Sequence, residues 1–155
     1  MKIFDGTHNS PKYTRTNYHL VTSKFLINGS VDFNRAPTIS EMDYIQINKK
    51  SRIDENDVLF SMIGTIGETA IVTKPHPYAI KNIGVFRTRS KASAKYLSIY
   101  LNSYLAKKHI HYLKNISVQS FLGLEDLRNF PVLRVDFQHQ SNIVDIMKSK
   151  LVKIF

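Results

Sequence analysis

Apolar and polar positions along the chain change period several times, and each change marks an element. Residues 1–17 set Gly6, Asn9, Pro11 and Asn17 among polar neighbours and read mostly as loop. Tyr18 to Ile27 is apolar and β-branched enough for a strand, closed by a turn at Asn28-Gly29, with Val31-Asp32-Phe33 as a short return. Thr38-Ile39-Ser40-Glu41 has capping-box spacing and predicts a short helix reaching about Ile47. After a turn at Asp54–Asp57, Val58 to Ile63 is a continuous apolar run, the mark of a strand covered on both faces. Gly64–Gly67 turns the chain into a partner strand, Thr69–Val72, and Lys74-Pro75-His76-Pro77 turns it again. Tyr78–Ile80 and Ile83–Phe86 then complete a meander.

The period next becomes helical. Leu97, Tyr100, Leu101, Tyr104 and Leu105 form one stripe at 3.6-residue spacing, predicting a single long helix capped by Ser90 or Ser93, with Lys107-Lys108 against its C-terminal dipole. Ile116 to Leu127 reads as irregular, and Phe130–Leu133 as an exit segment. In the tail, Phe137, Gln140, Val144, Met147, Leu151 and Ile154 alternate steps of three and four, an a/d seam. It suits a partner helix or an amphipathic helix folded onto its own domain. The register still runs at Ile154-Phe155, which favours a partner. The expected class is α+β (mixed α/β): a compact β-rich body with one packed amphipathic helix, followed by a C-terminal helix.

Charge narrows the partners. The 155 residues hold 22 Lys plus Arg against 12 Asp plus Glu, a net charge of +10. Such an excess attracts polyanions, and nucleic acid foremost, because each neutralised phosphate releases a condensed counterion. A surface basic only for solubility is the competing reading. The cations are spread along the chain, with clusters at Lys49-Lys50-Ser51-Arg52, Arg87–Lys91 and Lys107-Lys108, as on a folded face rather than an arm. There is no cysteine, so disulfides, thiolate metal sites and cysteine nucleophiles are excluded. No apolar run nears the ~20 residues of a membrane helix and no secretory segment opens the chain, so a soluble cytoplasmic protein is expected.

Catalytic patterns are thin. No P-loop, dinucleotide fingerprint or Asn-Pro-Pro-Tyr methyltransferase motif is present. Asp57 and Glu68 could open a nuclease site, but Glu68-Thr69-Ala70 lacks the lysine such a site needs. His109 and His111 stand two apart, unsuited to a helical metal pair, and His8 lies in a loop where it could meet phosphate. No catalytic residue, metal or cofactor is expected.

Several segments together resemble a known family. Asp5-Gly6-Thr7-His8-Asn9-Ser10-Pro11-Lys12-Tyr13, with Leu20-Val21-Thr22-Ser23-Lys24, resembles the opening of a target recognition domain from the DNA specificity (S) subunits of type I restriction–modification enzymes. Asp57 through Gly67, then Ala70-Ile71-Val72 and Ala79 through Phe86, continue the likeness. Leu124–Val132 resembles the passage into a spacer helix, with Gln140 and Ile143-Val144 in its start. The resemblance implies a target recognition domain over 1–134, reading one half of a bipartite DNA target, and the start of a spacer or dimerisation helix over 135–155. It also implies docking to a methyltransferase (M) subunit and, through it, the restriction (R) subunit, which would perform methylation and cleavage. With one recognition domain, the chain is expected to be a half-subunit, a truncated gene or an excised domain.

Base-reading positions differ among members of such a family, so contact residues are chosen from chemistry and loop position. The first group is Lys12, Tyr13 and Arg15, with Thr22, Ser23 and Lys24; the second is Arg35, Lys49, Lys50 and Arg52; the third is Lys81 and Asn82. The partner or dimer helix is expected to use Phe137, Val144, Met147, Leu151 and Ile154. Three readings stay open: a non-catalytic DNA specificity module, a small metal-dependent nuclease, and a helix-mediated protein-interaction module.

Overall fold

The computed structural model describes residues 1–73, 76–116 and 121–152. The turn at Lys74-Pro75, residues 117–120 of the stretch read as irregular, and Ile154 lie outside them; at Leu151 only the backbone is described.

The body is a four-stranded antiparallel sheet in the order β1 (Lys2–Asp5), β9 (Ile83–Arg87), β6 (Val58–Ser61), β7 (Thr69–Ile71). Every residue of β6 is buried, and its side chains alternate between two apolar layers. Val58 and Phe60 join Phe86 beneath the helices, while Leu59 joins Val85, Ile83 and Tyr78 on the opposite face. Both faces are covered, which is why the strand reads as an unbroken apolar run. The hairpin from β6 into β7 is as the sequence predicts.

A second sheet, β5-β2-β8, joins β2 (Tyr13–Val21) to β5 (Thr38–Ile39) and, in parallel, to β8 (Tyr78–Ile80). The expected meander is therefore wrong at β8, which leaves the main sheet and pairs with β2. The cause is the two-residue link Lys81-Asn82. A type I′ hairpin needs left-handed backbone at both positions, and only Asn82 has it, at φ 53°. By contrast Asn28 and Gly29 stand at φ 50° and 78° and close a short hairpin between β3 (Leu26–Ile27) and β4 (Ser30–Val31); the single strand expected over Tyr18–Ile27 is broken, because β2 ends at Val21 and Ser23–Phe25 form a 3-10 turn.

The first 17 residues are not mostly loop. β1 pairs along the edge of β9, and β2 begins at Tyr13; both gain order from tertiary pairing that their polar composition conceals. Helix α1 (Glu41–Ser51) starts two residues later than the capping-box spacing implied and runs past Ile47. Ser40 is its cap, accepting from the Asp43 N–H at 3.1 Å, while Thr38 and Ile39 form β5.

The single long helix is two. α2 (Lys91–Leu101) is capped by Ser90, and α3 (Tyr104–Ile116) follows a break at Asn102-Ser103. The Asn102 amide donates to Thr69 Oγ1 and to the Ser98 carbonyl, both at 2.9 Å, tying the chain to β7 where the stripe would have continued. Tyr104 and Leu105 are consequently exposed, and Lys107-Lys108 lie in the first half of a new helix rather than at a C-terminal dipole. After α4 (Leu124–Arg128) the chain descends along α2, held by Tyr100 and Tyr96 hydroxyls donating to the carbonyls of Pro131 and Leu133 at 2.8 and 2.7 Å. α5 (Phe137–Val152) then packs against α2. The class is α+β, as the pattern predicts. Among the described residues no helix is long and apolar enough to cross a membrane.

Candidate nucleic-acid interface

The two ends of β9 carry different chemistry. At its start, three connecting segments meet: the loop after β1, the Lys81-Asn82 link and the chain leaving β2. The Gly6 and Thr7 N–H groups donate to Ile83 and Ile80 carbonyls, each at 3.0 Å. Asn82 N–H returns a bond to Thr7 O at 3.1 Å, and Lys81 N–H donates to Val21 O at 2.9 Å. The approach at Gly6 is too close for a side chain, since a Cβ there would lie 2.2 Å from the Ile80 oxygen. The glycine of the Asp-Gly-Thr segment is thus what lets the loop lie on the link.

Side chains lock the same junction. His8 Nε2 is 3.0 Å from Asp5 Oδ2, and its Nδ1 is 2.8 Å from Asn82 Oδ1. Lys81 Nζ bonds to Ser10 Oγ. Thr22, Ser23 and the exposed Lys24 follow directly on Val21, beside Lys81. Part of the first group and all of the third therefore come together. Lys12 extends the loop, and Tyr13 and Arg15 lie farther along β2. There the register jumps, with both Tyr13 and Tyr18 opposite Ile39, so the intervening residues bulge outward and carry Arg15 into solvent. Thr38 and Thr16 hydroxyls fix the bulge by donating to the carbonyls of Thr14 and Ile39 at 2.5 and 2.6 Å.

The second group lies elsewhere. Arg52 is tied to the far end of β9, where its carbonyl accepts from Arg87 at 2.8 Å; Lys49 and Lys50 precede it in the last turn of α1. Ile83 and Arg87 are four strand steps, or about 14 Å, apart. Arg35 points toward Asp32, 3.9 Å away, on the loop before β5.

The Arg87 end is a packed ion-pair site. Asp57, fully buried, accepts from Arg87 Nε at 3.1 Å and Nη2 at 2.9 Å, and from the Asp54 N–H at 2.8 Å. That hydrogen bonding holds the guanidinium pKa above its ordinary value. Glu68 sits at the other end of the β6–β7 hairpin, where its carbonyl accepts from Ser61 N–H. Asp57 and Glu68 therefore form no shared site, and the nuclease reading loses its geometry. Among the described residues no group of three or more His, Asp or Glu side chains could hold a metal.

Near the start of β8, His76 stacks on Phe33 with centroids 4.3 Å apart and meets His19 edge-on at 5.3 Å. Partial burial, then the neighbouring His19, push the His76 pKa below its usual value. Burial pushes the Tyr78 hydroxyl upward. On the C-terminal helix, Val144 is buried against the domain and Gln140 accepts from Ser93 Oγ at 2.8 Å, whereas Phe137 and Met147 face solvent. The a/d seam is therefore divided, part of it packed on the body and part open to solvent.

Sequence reasoning passed over Gly6, Asp5, His8 and Ser10 as a unit. The spacing of Asp5 and His8 hints at a pair, but nothing local shows that Asn82, 74 residues away, completes it.

The described geometry has counterparts. The family described as the type I restriction modification DNA specificity domain matches residues 11–152. No curated protein matches the sequence. Among solved structures, the S subunit of the type I restriction-modification system from M. genitalium superposes with a TM-score of 0.59 at 13% identity, over 98% of this chain and 37% of that one. At that identity the likeness is one of fold, and the chain spans little more than a third of that subunit's length.

Proposed function

The chain belongs to the family of type I restriction–modification DNA specificity domains, and we propose that it reads one half of a bipartite duplex target through the loops gathered at the Lys81-Asn82 link. The observation that carries this reading is the convergence at one sheet end of Lys81, Asn82, Thr22, Ser23 and Lys24, braced by His8 and Ser10. Lysine serves phosphate or guanine edges there, and Asn, Ser and Thr serve adenine edges or backbone oxygens. Lys12, Tyr13 and Arg15 extend the surface along β2. Lys49, Lys50 and Arg52 are outlying phosphate contacts at most, since they sit toward the Arg87 end of β9, while Arg35 lies on the loop before β5, where the Pro37 carbonyl accepts from Leu20 N–H.

Residues 1–134 are the recognition unit in this reading, and 135–155 begin a spacer. The exposed Phe137 and Met147 favour a helix partner there, either a second copy or a second recognition domain. Methyltransferase and restriction subunits in the cytoplasm would carry out the covalent chemistry, so this chain needs no catalytic group.

Duplex binding measured by fluorescence anisotropy across a salt series tests the reading. Wild type should bind with a logarithmic salt slope of several units, because phosphates dominate. Lys81→Ala or Lys24→Ala should weaken binding by about 1 kcal/mol. A chain that binds no duplex at low salt, or binds with a flat salt dependence, overturns it.

A further inference from the structure

We propose that the outward face of α3 is a second DNA-backbone contact, continuous with the Lys81-Asn82 junction; this rests on the reading of the chain as a DNA-binding domain. Two independent observations lead to it. The first is position. β6 is antiparallel to β9 with Ser61 opposite Ile83, so the loop after β6 lies at the same end of the sheet as Asn82. α3 packs beneath that loop: Ile110 Cδ1 would sit 3.0 Å from a Cβ on Gly67, and Ala106 and Ile110 are buried in the layer below. The backbone bond from Leu122 N–H to Met62 O, at 2.9 Å, brings the following segment to the same place.

The second is charge. The 13 residues of α3 include Lys107, Lys108 and Lys114 with His109 and His111, and no carboxylate. With Ala106 and Ile110 facing inward, Lys107, His111 and Lys114 fall at i, i+4 and i+7 on one exposed stripe. Lys107 and Lys114 are about 10 Å apart along the axis, three rises of one DNA strand at about 3.4 Å each. A shallow groove of about 200 Å³ between this stripe and the Gly67 loop contains one carboxylate, Glu68, which makes no ion pair within 4.0 Å among the described residues. Tyr104 and Tyr112 are exposed on the same helix, amphipathic side chains suited to sugar and phosphate edges. Such a surface fits a polyanion rather than an apolar helix, and a duplex lying on the Lys81-Asn82 junction is the polyanion within reach. The contact is one of position and affinity, not sequence, because phosphates carry no base information.

The test uses the full chain and two unrelated 20-base-pair duplexes. The triple variant Lys107→Ala, Lys108→Ala, Lys114→Ala should raise Kd about ten-fold or more on both duplexes and make the salt slope shallower by roughly two to three. The same three positions as Arg should restore both quantities. Lys148→Ala on α5 should leave them unchanged. Lysine acetylation footprinting should show Lys107, Lys108 and Lys114 protected by duplex. An unchanged Kd and slope in the triple variant, with wild type binding normally, overturns this inference and leaves the recognition reading intact. Loss of methyltransferase association with normal DNA binding assigns the face to a protein partner and overturns it as well. A wild-type chain that binds neither duplex removes both.

Discussion

Asp57 and Arg87 form a two-pronged pair across the ends of β6 and β9, with the carboxylate wholly buried and the guanidinium partly open to solvent. The asymmetry decides what each substitution does. Asp57→Ala leaves Arg87 able to turn toward Asp54, 2.9 Å away, and toward water. Arg87→Ala strands a carboxylate in the core. We expect losses of about 2 kcal/mol and about 4 kcal/mol respectively, read from urea unfolding. Equal losses, or Asp57→Ala the larger, would contradict the account. DNA affinity of the folded fraction should not change, because this pair lies at the end of β9 opposite the proposed contacts.

Gly6 and Gly84 should fail for different reasons when changed to alanine. A Cβ on Gly84 would come 2.2 Å from Leu127 Cδ1, a side-chain atom of α4 that can shift, so we expect a loss of about 1–3 kcal/mol. Combining it with Leu127→Ala should remove the clash at the expense of a cavity, giving non-additive stabilities. A Cβ on Gly6 would meet the backbone oxygen of Ile80, which cannot turn aside without breaking the link to β9. Gly6→Ala should therefore cost more than Gly84→Ala and also weaken duplex binding. Unfolding curves with anisotropy on the same samples check both; normal DNA binding by a folded Gly6→Ala chain would show that the loop is not positioned by this contact.

The strands β6 and β7 and the turn at Asn28-Gly29 were legible because the information is local: an apolar run, a glycine pair, an Asn-Gly step. β8 was legible as a strand but not as to its partner, since one left-handed residue at Asn82 instead of two redirects it into another sheet. The break at Asn102 was concealed for a similar reason. Its cause is Thr69, 33 residues away, while the apolar stripe runs through the break uninterrupted. Among the proposed contact residues, Lys81, Asn82 and Lys24 could be chosen from loop position and chemistry. His8 and Ser10 could not be joined to them without the fold, nor could chain position show that Lys49, Lys50 and Arg52 serve the end of β9 away from Lys81.

His76 should make stability depend on pH in the mildly acid range. Partial desolvation of its largely exposed ring, which stacks on Phe33, and then the proximity of His19 lower its pKa in the folded chain below the ordinary histidine value of about 6.5. Below 6.5 the unfolded chain takes up a proton there that the folded chain resists, so stability falls as pH drops from 7 toward 5. Above pH 7 both states are neutral and this contribution is constant. The thermal midpoint of wild type should decline over that interval, and His76→Phe, which keeps the stack, should flatten the decline. Ring-proton titration by NMR gives the sign directly; an apparent pKa above 6.5 would refute the assignment.

The seam of α5 divides into a buried and an exposed part that one heptad pattern made look alike. Val144 is buried against the body, so Val144→Asp places an unpaired carboxylate in an apolar contact and should cost about 2–4 kcal/mol, with part of the helix detached. Phe137 and Met147 face outward, and their replacement by Ser should leave the unfolding midpoint within about 0.5 kcal/mol of wild type. If the outward face is the partner surface, the same pair of substitutions should lower self-association in sedimentation velocity, or capture by a partner helix, while duplex affinity per domain is unaltered. A Val144→Asp chain as stable as wild type would mean that α5 does not dock on α2. A Phe137→Ser, Met147→Ser chain that associates as wild type does would remove these residues from the interface and leave α5 as packing alone.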